Sequence, residues 1–175
     1  GEVIALELHG PKIKLIEENC HRLGITAVRA LEVDATQRLP FPSGMLFDRI
    51  LLDAPCTGLG ILHRNPEARW RRKPEDVTRL SRVQGALLDN LCSWLKPGGT
   101  LVYSTCTITP EENDGVINIF LEKHPEFHLE DLRDLTPASI HPLVDSKGFF
   151  RTYPDGVTAE MNRMDGFFAA RLRKV

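Results

Sequence analysis

The feature that most constrains the fold is a regular alternation of short apolar runs with segments of helical periodicity. The apolar runs have strand character and span residues 3–6, 27–33, 48–53, 100–104 and 166–172. Between them, apolar residues recur at three- and four-residue spacing, most clearly over residues 13–23 and 77–95. Near-continuous apolar strands separated by helices are typical of a largely parallel sheet covered on both faces. The sequence therefore predicts an α/β fold, with a mostly parallel sheet and helices on both faces.

Length and composition exclude several classes of protein. The chain has 175 residues, which predicts a single domain over residues 1–175. Hydrophobic residues make up 42% and charged residues 26%, so a wholly disordered or collagen-like chain is excluded. No apolar run approaches the ~20 residues that span a bilayer, and the first residues do not form a signal peptide. A cytoplasmic protein without a membrane partner is predicted.

Cysteine spacing and charge narrow the possible partners. None of the four cysteines forms a C-x-x-C pair, so the sequence predicts free thiols and no metal site. The net charge is −2, which gives no global electrostatic reason to expect nucleic-acid binding. Any contact with nucleic acid must therefore depend on a local cluster of basic residues.

Polar side chains follow the predicted strands at the point where each strand ends. They are Glu7, Asp34, Asp53 and Cys106. Ligands of parallel sheets bind beyond the carboxyl ends of the strands, so these groups are expected to converge on one edge. Glu7 is either a ribose-binding acid or a solvated carboxylate, while Asp34 either contacts a base or caps a turn, the turn being favoured by the residues alone.

The sequence D-A-P-C-T-G at residues 53–58 is the most specific motif. Pro55 stiffens the turn after a buried strand and so fixes the direction of Cys56. Cys106 follows the next strand and is expected at the same edge. Two thiols beside a carboxylate suit nucleophilic catalysis with proton transfer, whereas the alternative is a pair of packing cysteines. The other two cysteines, Cys20 and Cys92, lie on apolar helix faces and are predicted to pack in the core.

A basic cluster follows this motif directly. Its members are Arg64, Arg69, Arg71, Arg72 and Lys73, with Trp70 among them. Such a segment can bind phosphates and stack a base, or it can be a solvated surface loop. Its position next to the predicted active edge favours the binding interpretation.

These motifs together carry a resemblance to a known family. Residues 53–58, with Thr105-Cys106 and the P-E-E-N sequence at 110–113, resemble the RNA (cytosine-5)-methyltransferases. That family includes the bacterial Sun/Fmu-type ribosomal RNA enzymes and the NSUN proteins. The basic stretch and the D-G-F-F sequence at 165–168 also fit, so the resemblance covers nearly the whole chain.

The resemblance implies a Rossmann-like enzyme that transfers a methyl group from S-adenosylmethionine to carbon 5 of a cytosine in RNA, here ribosomal RNA. Cys106 matches the family's nucleophile, which attacks carbon 6 of a flipped-out base. Cys56 matches the cysteine that assists breakdown of the covalent adduct. Among the cofactor-binding residues, Glu7 matches the ribose-binding acid, Asp34 the acid near the adenine, and Asp53 the acid that contacts the base ring near the cofactor.

The chain departs from the family at its front. The family's first strand and glycine-rich cofactor loop should precede Gly1, and so should its amino-terminal RNA-binding region. The only G-x-G sequence, Gly58-Leu59-Gly60, follows the wrong strand and belongs to the Pro-Cys loop. We therefore expect a carboxyl-terminal part of a catalytic domain, with the missing strand between the strands that end at Glu7 and Asp53.

Two other hypotheses stay open from the sequence. In DNA cytosine-5 enzymes the nucleophile is the cysteine of a Pro-Cys turn, which here is Cys56. Alternatively, the chain is a catalytically incompetent RNA- or ribosome-binding fragment that uses the basic cluster alone.

Overall fold

The computed structural model describes residues 1–154 and 164–175, which form two compact units. The units are Gly1–Met45 and Leu46–Val175, and each is described by itself. The sequence predicts a loop-rich stretch over residues 134–165, and part of this stretch lies outside the described residues. Among the described residues, no helix combines the length and apolar content needed to cross a bilayer.

The amino-terminal unit is a β-α-β element. Strand β1 (Val3–Glu7) leads through helix α1 (Gly10–Arg22) to strand β2 (Val28–Glu32), and the two strands pair in parallel. The helix begins with a proline in its first turn, where the missing N–H costs no hydrogen bond. Just after the helix, Gly24 has a φ of 66°, a left-handed conformation that favours glycine. In the sequence, Pro11 predicts the start of this helix and Gly24 its end, and both predictions are confirmed.

The carboxyl-terminal unit contains a five-stranded sheet. Its strands are β3 (Phe47–Asp53), β4 (Leu95–Thr105), β5 (Phe127–Glu130), β6 (Phe150–Arg151) and β7 (Phe168–Lys174). The order is β3-β4-β7-β5, and β6 also pairs with β7. Strands β3 and β4 are parallel, whereas β7 is antiparallel to each of its three partners. Strands β3 to β6 therefore share one direction, as in a mostly parallel sheet. Because the reversed β7 lies between the others, however, three of the four pairings in this unit are antiparallel.

The described helices of this unit are α2 (Ala68–Arg71), α3 (Pro74–Leu91) and α4 (Asp114–Lys123), with short 3₁₀ turns between elements. Pro74 and the K-P-G-G sequence at residues 96–99 predict the start and the end of a helix. Helix α3 does begin at Pro74, but it ends at Leu91. The Lys-Pro-Gly-Gly sequence instead lies inside the long strand β4. Helices α3 and α4 pack against each other.

The T-P-E-E sequence at residues 109–112 predicts a capping box at the start of a helix, and this prediction is wrong. Helix α4 begins at Asp114, and its N-cap residue Asn113 makes no side-chain capping bond. Glu112 is 0% exposed and turns into the protein, away from the helix end. Its carboxylate has buried partners that the local sequence pattern does not reveal.

The core of this unit lies between the sheet and the two long helices. Fully buried side chains include Leu101 and Tyr103 of β4, with Ile117 and Phe120 of α4. Leu51 of β3 differs from them, because its side chain is 72% exposed on the sheet face opposite to that of the buried Leu52.

Candidate active site

The two motif cysteines contact each other at one edge of the five-stranded sheet. Cys56 lies three residues after β3, and Cys106 lies directly after β4. These strands are parallel, and Asp53 pairs with Ser104 at their carboxyl ends, which brings the two loops together. The sulfur atoms are 3.3 Å apart, and both side chains are half-buried. The predicted convergence of the two thiols is confirmed.

The two thiols have opposite acidities. The hydrogen bond that Cys56 donates stabilises the thiolate of Cys106 and lowers the pKa of Cys106 to about 7, although burial and the charges of Asp53 and Glu112 oppose this. The same hydrogen bond, together with burial, raises the pKa of Cys56 far above its ordinary value. At neutral pH, Cys106 is therefore the more readily ionised thiol of the pair, while Cys56 stays protonated.

Two glycines allow the Cys56 loop to pack against the Cys106 strand. Gly58 has a φ of 72°. The N–H of Gly60 donates to the carbonyl of Cys106 (3.1 Å), and the Gly60 carbonyl accepts from the N–H of Gly166 (2.7 Å). A Cβ atom at Gly60 would lie only 2.0 Å from the Gly166 carbonyl oxygen. The G-x-G sequence therefore serves close backbone packing around Cys106, in agreement with its assignment to the Pro-Cys loop.

Beneath the cysteines, a buried polar network joins the two loops. The Glu112 carboxylate accepts hydrogen bonds from the N–H and hydroxyl of Thr57, the amide of Gln84 and the hydroxyl of Thr109. The Thr57 hydroxyl also lies 2.9 Å from that of Thr107. Sequence reasoning missed this network because, apart from the bond between Thr109 and Glu112, its contacts join residues 28 to 55 positions apart.

Asp53 is exposed at the end of β3, on the same edge as the cysteines. Its Oδ1 atom accepts a hydrogen bond from the Ser104 hydroxyl (3.1 Å). This carboxylate can accept further hydrogen bonds from a ligand at the edge. Its negative charge also raises the pKa of Cys106, against the stronger effect of Cys56.

Glu7 and Asp34 lie at one edge of the amino-terminal unit, beyond the carboxyl ends of its two parallel strands. The Oε1 atom of Glu7 accepts from the N–H of His9 (3.0 Å). The Oδ1 atom of Asp34 accepts from both the N–H and the hydroxyl of Thr36, which lowers the pKa of Asp34. The turn role that the residues favoured for Asp34 is confirmed, and the ligand-binding roles of both acids stay predictions.

All five basic residues of the cluster are exposed, but two of its arginines also bond to other parts of the chain. Arg72 donates from Nε to the carbonyl of Thr57 (2.8 Å), and Nε of Arg64 lies 2.9 Å from Oδ1 of Asp165. Arg69 and Arg71 are exposed on either side of Trp70, whose side chain is 86% exposed. These three residues are the part of the cluster that is free to meet a partner.

The remaining cysteines play no part in the site. Cys92 is buried, which raises its pKa to about 11 and makes it a core thiol, as predicted. Cys20, in the amino-terminal unit, is half-buried rather than in a core. Within residues 1–154 and 164–175, no group of three or more His, Cys, Asp or Glu side chains is arranged to hold a metal ion.

Comparisons with family models and with individual proteins agree on one family. The family model described as 16S rRNA methyltransferase RsmB/F matches residues 1–173. The probable ribosomal RNA small subunit methyltransferase B of Bacillus subtilis is 39% identical over 175 residues, covering 99% of this chain and 38% of the relative. A protein of the same description from Synechocystis is 40% identical, again over 99% of this chain and 38% of the relative. The chain thus spans about two fifths of the length of these curated relatives.

Solved structures agree with this assignment. NSun6 from Pyrococcus horikoshii, solved with SFG, has a TM-score of 0.80 and 35% identity, covering 100% of this chain and 42% of that one. A methyltransferase homologue from the same organism has a TM-score of 0.76 and 33% identity, covering 100% of this chain and 54% of that one. The predicted Rossmann-like methyltransferase fold is therefore confirmed. Because the family model and the relatives match almost every residue, the chain belongs to the RsmB/F family of 16S rRNA methyltransferases.

Proposed function

We propose that this chain carries the reacting residues of an S-adenosylmethionine-dependent RNA methyltransferase that modifies carbon 5 of a cytosine through a covalent cysteine adduct. The observation that carries the proposal is the 3.3 Å contact between two thiols of opposite acidity, Cys106 and Cys56. Such a pair supplies a nucleophile and a proton-transfer group within reach of one base.

Cys106 begins the reaction. Its thiolate adds to carbon 6 of the cytosine, and the electron pair displaced from the ring makes carbon 5 nucleophilic. S-adenosylmethionine supplies the methyl group that carbon 5 takes. The base has to leave its stack to reach the thiolate, so the half-buried position of Cys106 suits a flipped-out nucleotide.

Cys56 completes the reaction. A neighbouring thiolate keeps Cys56 protonated in the free enzyme, but that negative charge disappears when Cys106 becomes a thioether. Cys56 can then ionise and accept the proton from carbon 5. The electrons of that C–H bond reform the ring double bond, and the bond between carbon 6 and sulfur breaks to release Cys106.

The cofactor is proposed to contact the acids at the strand ends. Glu7 retains acceptor capacity beyond its bond to His9, which suits the ribose hydroxyls. Both Thr36 bonds of Asp34 go to Oδ1, so Oδ2 is available for the adenine side of the cofactor. Asp53 lies on the cysteine edge, where it can contact the base ring. NSun6, a relative of the same fold, was solved with SFG.

The proposed substrate is ribosomal RNA, which a cytoplasmic enzyme would meet directly. The relatives from Bacillus subtilis and Synechocystis are described as methyltransferases of the small subunit ribosomal RNA. In this chain, Arg69 and Arg71 offer positive charge for phosphates, and the exposed Trp70 offers a face for base stacking.

Replacement of each cysteine tests the mechanism. With RNA and S-adenosylmethionine present, Cys106→Ala should abolish methyl transfer and form no covalent complex, because no thiolate adds to the ring. Cys56→Ala should still methylate, but it should accumulate a protein–RNA complex that survives denaturing gel electrophoresis. The control Cys20→Ala changes a thiol of the other unit and should behave as the unmodified chain does.

Two outcomes would contradict the proposal. A trapped complex with Cys106→Ala, and not with Cys56→Ala, would reverse the roles and favour the mechanism of the DNA enzymes. RNA binding that neither S-adenosylmethionine nor either substitution affects would instead identify a binding fragment without catalytic activity.

A further inference from the structure

The Glu112 carboxylate is a buried hydrogen-bond acceptor that the reaction itself does not use. It is 0% exposed, and burial of a carboxylate is unfavourable unless hydrogen bonds replace the lost water. Its Oε1 atom accepts from the N–H of Thr57 (2.9 Å) and the amide of Gln84 (3.0 Å). Its Oε2 atom accepts from the hydroxyls of Thr57 and Thr109. Four donors from three parts of the chain thus converge on one side chain.

The partners of Glu112 adjoin the two cysteines. Thr57 follows Cys56 directly, and its hydroxyl lies 2.9 Å from the hydroxyl of Thr107, which follows Cys106. Gln84 of helix α3 also donates to the carbonyl of Pro55, the residue before Cys56 (2.9 Å). The loop that carries Cys56 is therefore held on both sides of the cysteine. A pair of hydroxyls joins it to the loop of Cys106, in addition to the backbone hydrogen bond from Gly60 to Cys106.

We propose that Glu112 is a positioning residue, which fixes the two cysteine loops so that their sulfur atoms stay in contact. Within this network, the Thr57–Thr107 contact transmits the constraint from one loop to the other. The inference rests on the proposed function for its catalytic meaning, although the sulfur contact that it explains can be measured without methyl transfer.

The charge of Glu112 argues for a geometric role. Both Glu112 and Asp53 raise the pKa of Cys106, so a carboxylate here disfavours the nucleophilic thiolate. The hydrogen bond from Cys56 has the larger and opposite effect. Glu112 therefore benefits Cys106 only by keeping Cys56 in place, and a displaced Cys56 should make Cys106 less acidic.

The substitution Thr57→Val tests this directly, because it removes the bridging hydroxyl with almost no change of volume. The rate at which iodoacetamide alkylates Cys106 is measured against pH, with the modified peptide identified by mass spectrometry. We expect the pKa of Cys106 to rise by about one unit, which shifts the midpoint of its alkylation profile to higher pH. The rate at pH 7 should fall roughly twofold, because a more basic thiolate partly offsets the smaller thiolate fraction. Thr107→Val, which cuts the same bridge from the other side, should have the same effect.

The matched control is Thr100→Val. Thr100 is also nearly buried in this unit, but it lies in the middle of β4, six positions before Cys106, and contacts Arg171 and Arg173. This variant should keep the alkylation profile of the unmodified chain. Urea unfolding of all three variants separates a local change at the cysteines from a general loss of stability.

An unchanged alkylation profile in a folded Thr57→Val or Thr107→Val variant would overturn the proposal. If both variants fail to fold, hydrogen exchange of the unmodified chain decides. The Thr57 N–H should then exchange as slowly as the core amides of β4, and rapid exchange would overturn the proposal. Because none of these measurements needs RNA or cofactor, their outcome is independent of the methyl-transfer experiment.

Discussion

The two units hold their candidate residues in different ways. In the amino-terminal unit, Glu7 bonds to His9 and Asp34 bonds to Thr36, each only two positions away. In the carboxyl-terminal unit, Cys56 contacts Cys106 across 50 positions, and Thr57 reaches Glu112 across 55. The acids are fixed by local turns, whereas the thiols are fixed by the packing of the whole unit.

This difference matches two kinds of chemical task. A carboxylate held by a local turn keeps oxygen atoms available to a ligand, and its acceptor character does not depend on distant groups. A thiol becomes a nucleophile at neutral pH only when something stabilises its thiolate. For Cys106 that group is Cys56, and only the folded unit brings it close.

The largest expected effect concerns the reactivity of the folded thiols. At pH 7, the thiolate fraction of Cys106 exceeds that of Cys92 by about 10⁴, given pKa values of about 7 and about 11. A less basic thiolate is also a weaker nucleophile, which reduces this advantage by a factor of about 10². Alkylation of Cys106 should therefore be about a hundredfold faster than that of Cys92, or more. Its rate should rise as pH increases through 7 and then level off. Iodoacetamide labelling between pH 5 and 10 measures this, with urea-unfolded chain as the control.

If both cysteines were labelled at similar rates in the folded chain, the contrast between them would fail. If the alkylation rate of Cys106 rose with a midpoint near pH 9, the sulfur contact would likewise not make this thiol more acidic.

The next largest effect concerns stability. Glu112→Leu should lower the free energy of unfolding of the carboxyl-terminal unit by about 2–3 kcal/mol, because buried donors lose their acceptor. Asp34→Ala should have a smaller effect, since Asp34 is only half-buried and its partner Thr36 can be solvated. Urea unfolding of both variants compares the long-range network with the local turn. Equal losses in both variants would contradict the distinction.

A smaller effect is expected on cofactor binding. Glu7→Gln should weaken S-adenosylmethionine binding about tenfold, because hydrogen bonds to a charged acceptor are stronger than those to a neutral amide. The alkylation profile of Cys106 should not change. Titration calorimetry measures the affinity, and Glu2→Gln, an exposed change in the same unit, is the control. Unchanged affinity would remove Glu7 from the proposed cofactor site.

The smallest effect concerns the basic cluster. Arg69→Ala combined with Arg71→Ala should weaken RNA binding a few-fold and reduce the salt dependence by about 0.7–1 unit of slope for each phosphate that is no longer neutralised. Lys96→Ala is the control, because Lys96 pairs with Asp48 at the other end of β4. An unchanged slope would show that Arg69 and Arg71 lie on a solvated surface that does not bind RNA.

Much of the fold and part of the site could be predicted from local patterns. The strands that end at Glu7 and Asp53 were recognisable because apolar runs stop at an acid, and helix α3 because Pro74 suits a first turn. The end of α3 was placed wrongly, since the Lys-Pro-Gly-Gly sequence resembles a helix end but lies within β4. The capping box failed for a related reason, because Glu112 has better partners inside the protein than at the helix end.

The sequence by itself determined the strand-helix alternation, the acids and thiols at the strand ends, and the family to which the motifs point. These properties depend on residues close together in the chain. Only the tertiary structure decided which thiol is acidic, which arginines of the cluster bond within the protein, and that Glu112 is a buried acceptor. The physical reason is that ionisation and hydrogen bonding depend on distance in space, and the groups that set the pKa of Cys106 lie up to 53 positions away in the chain.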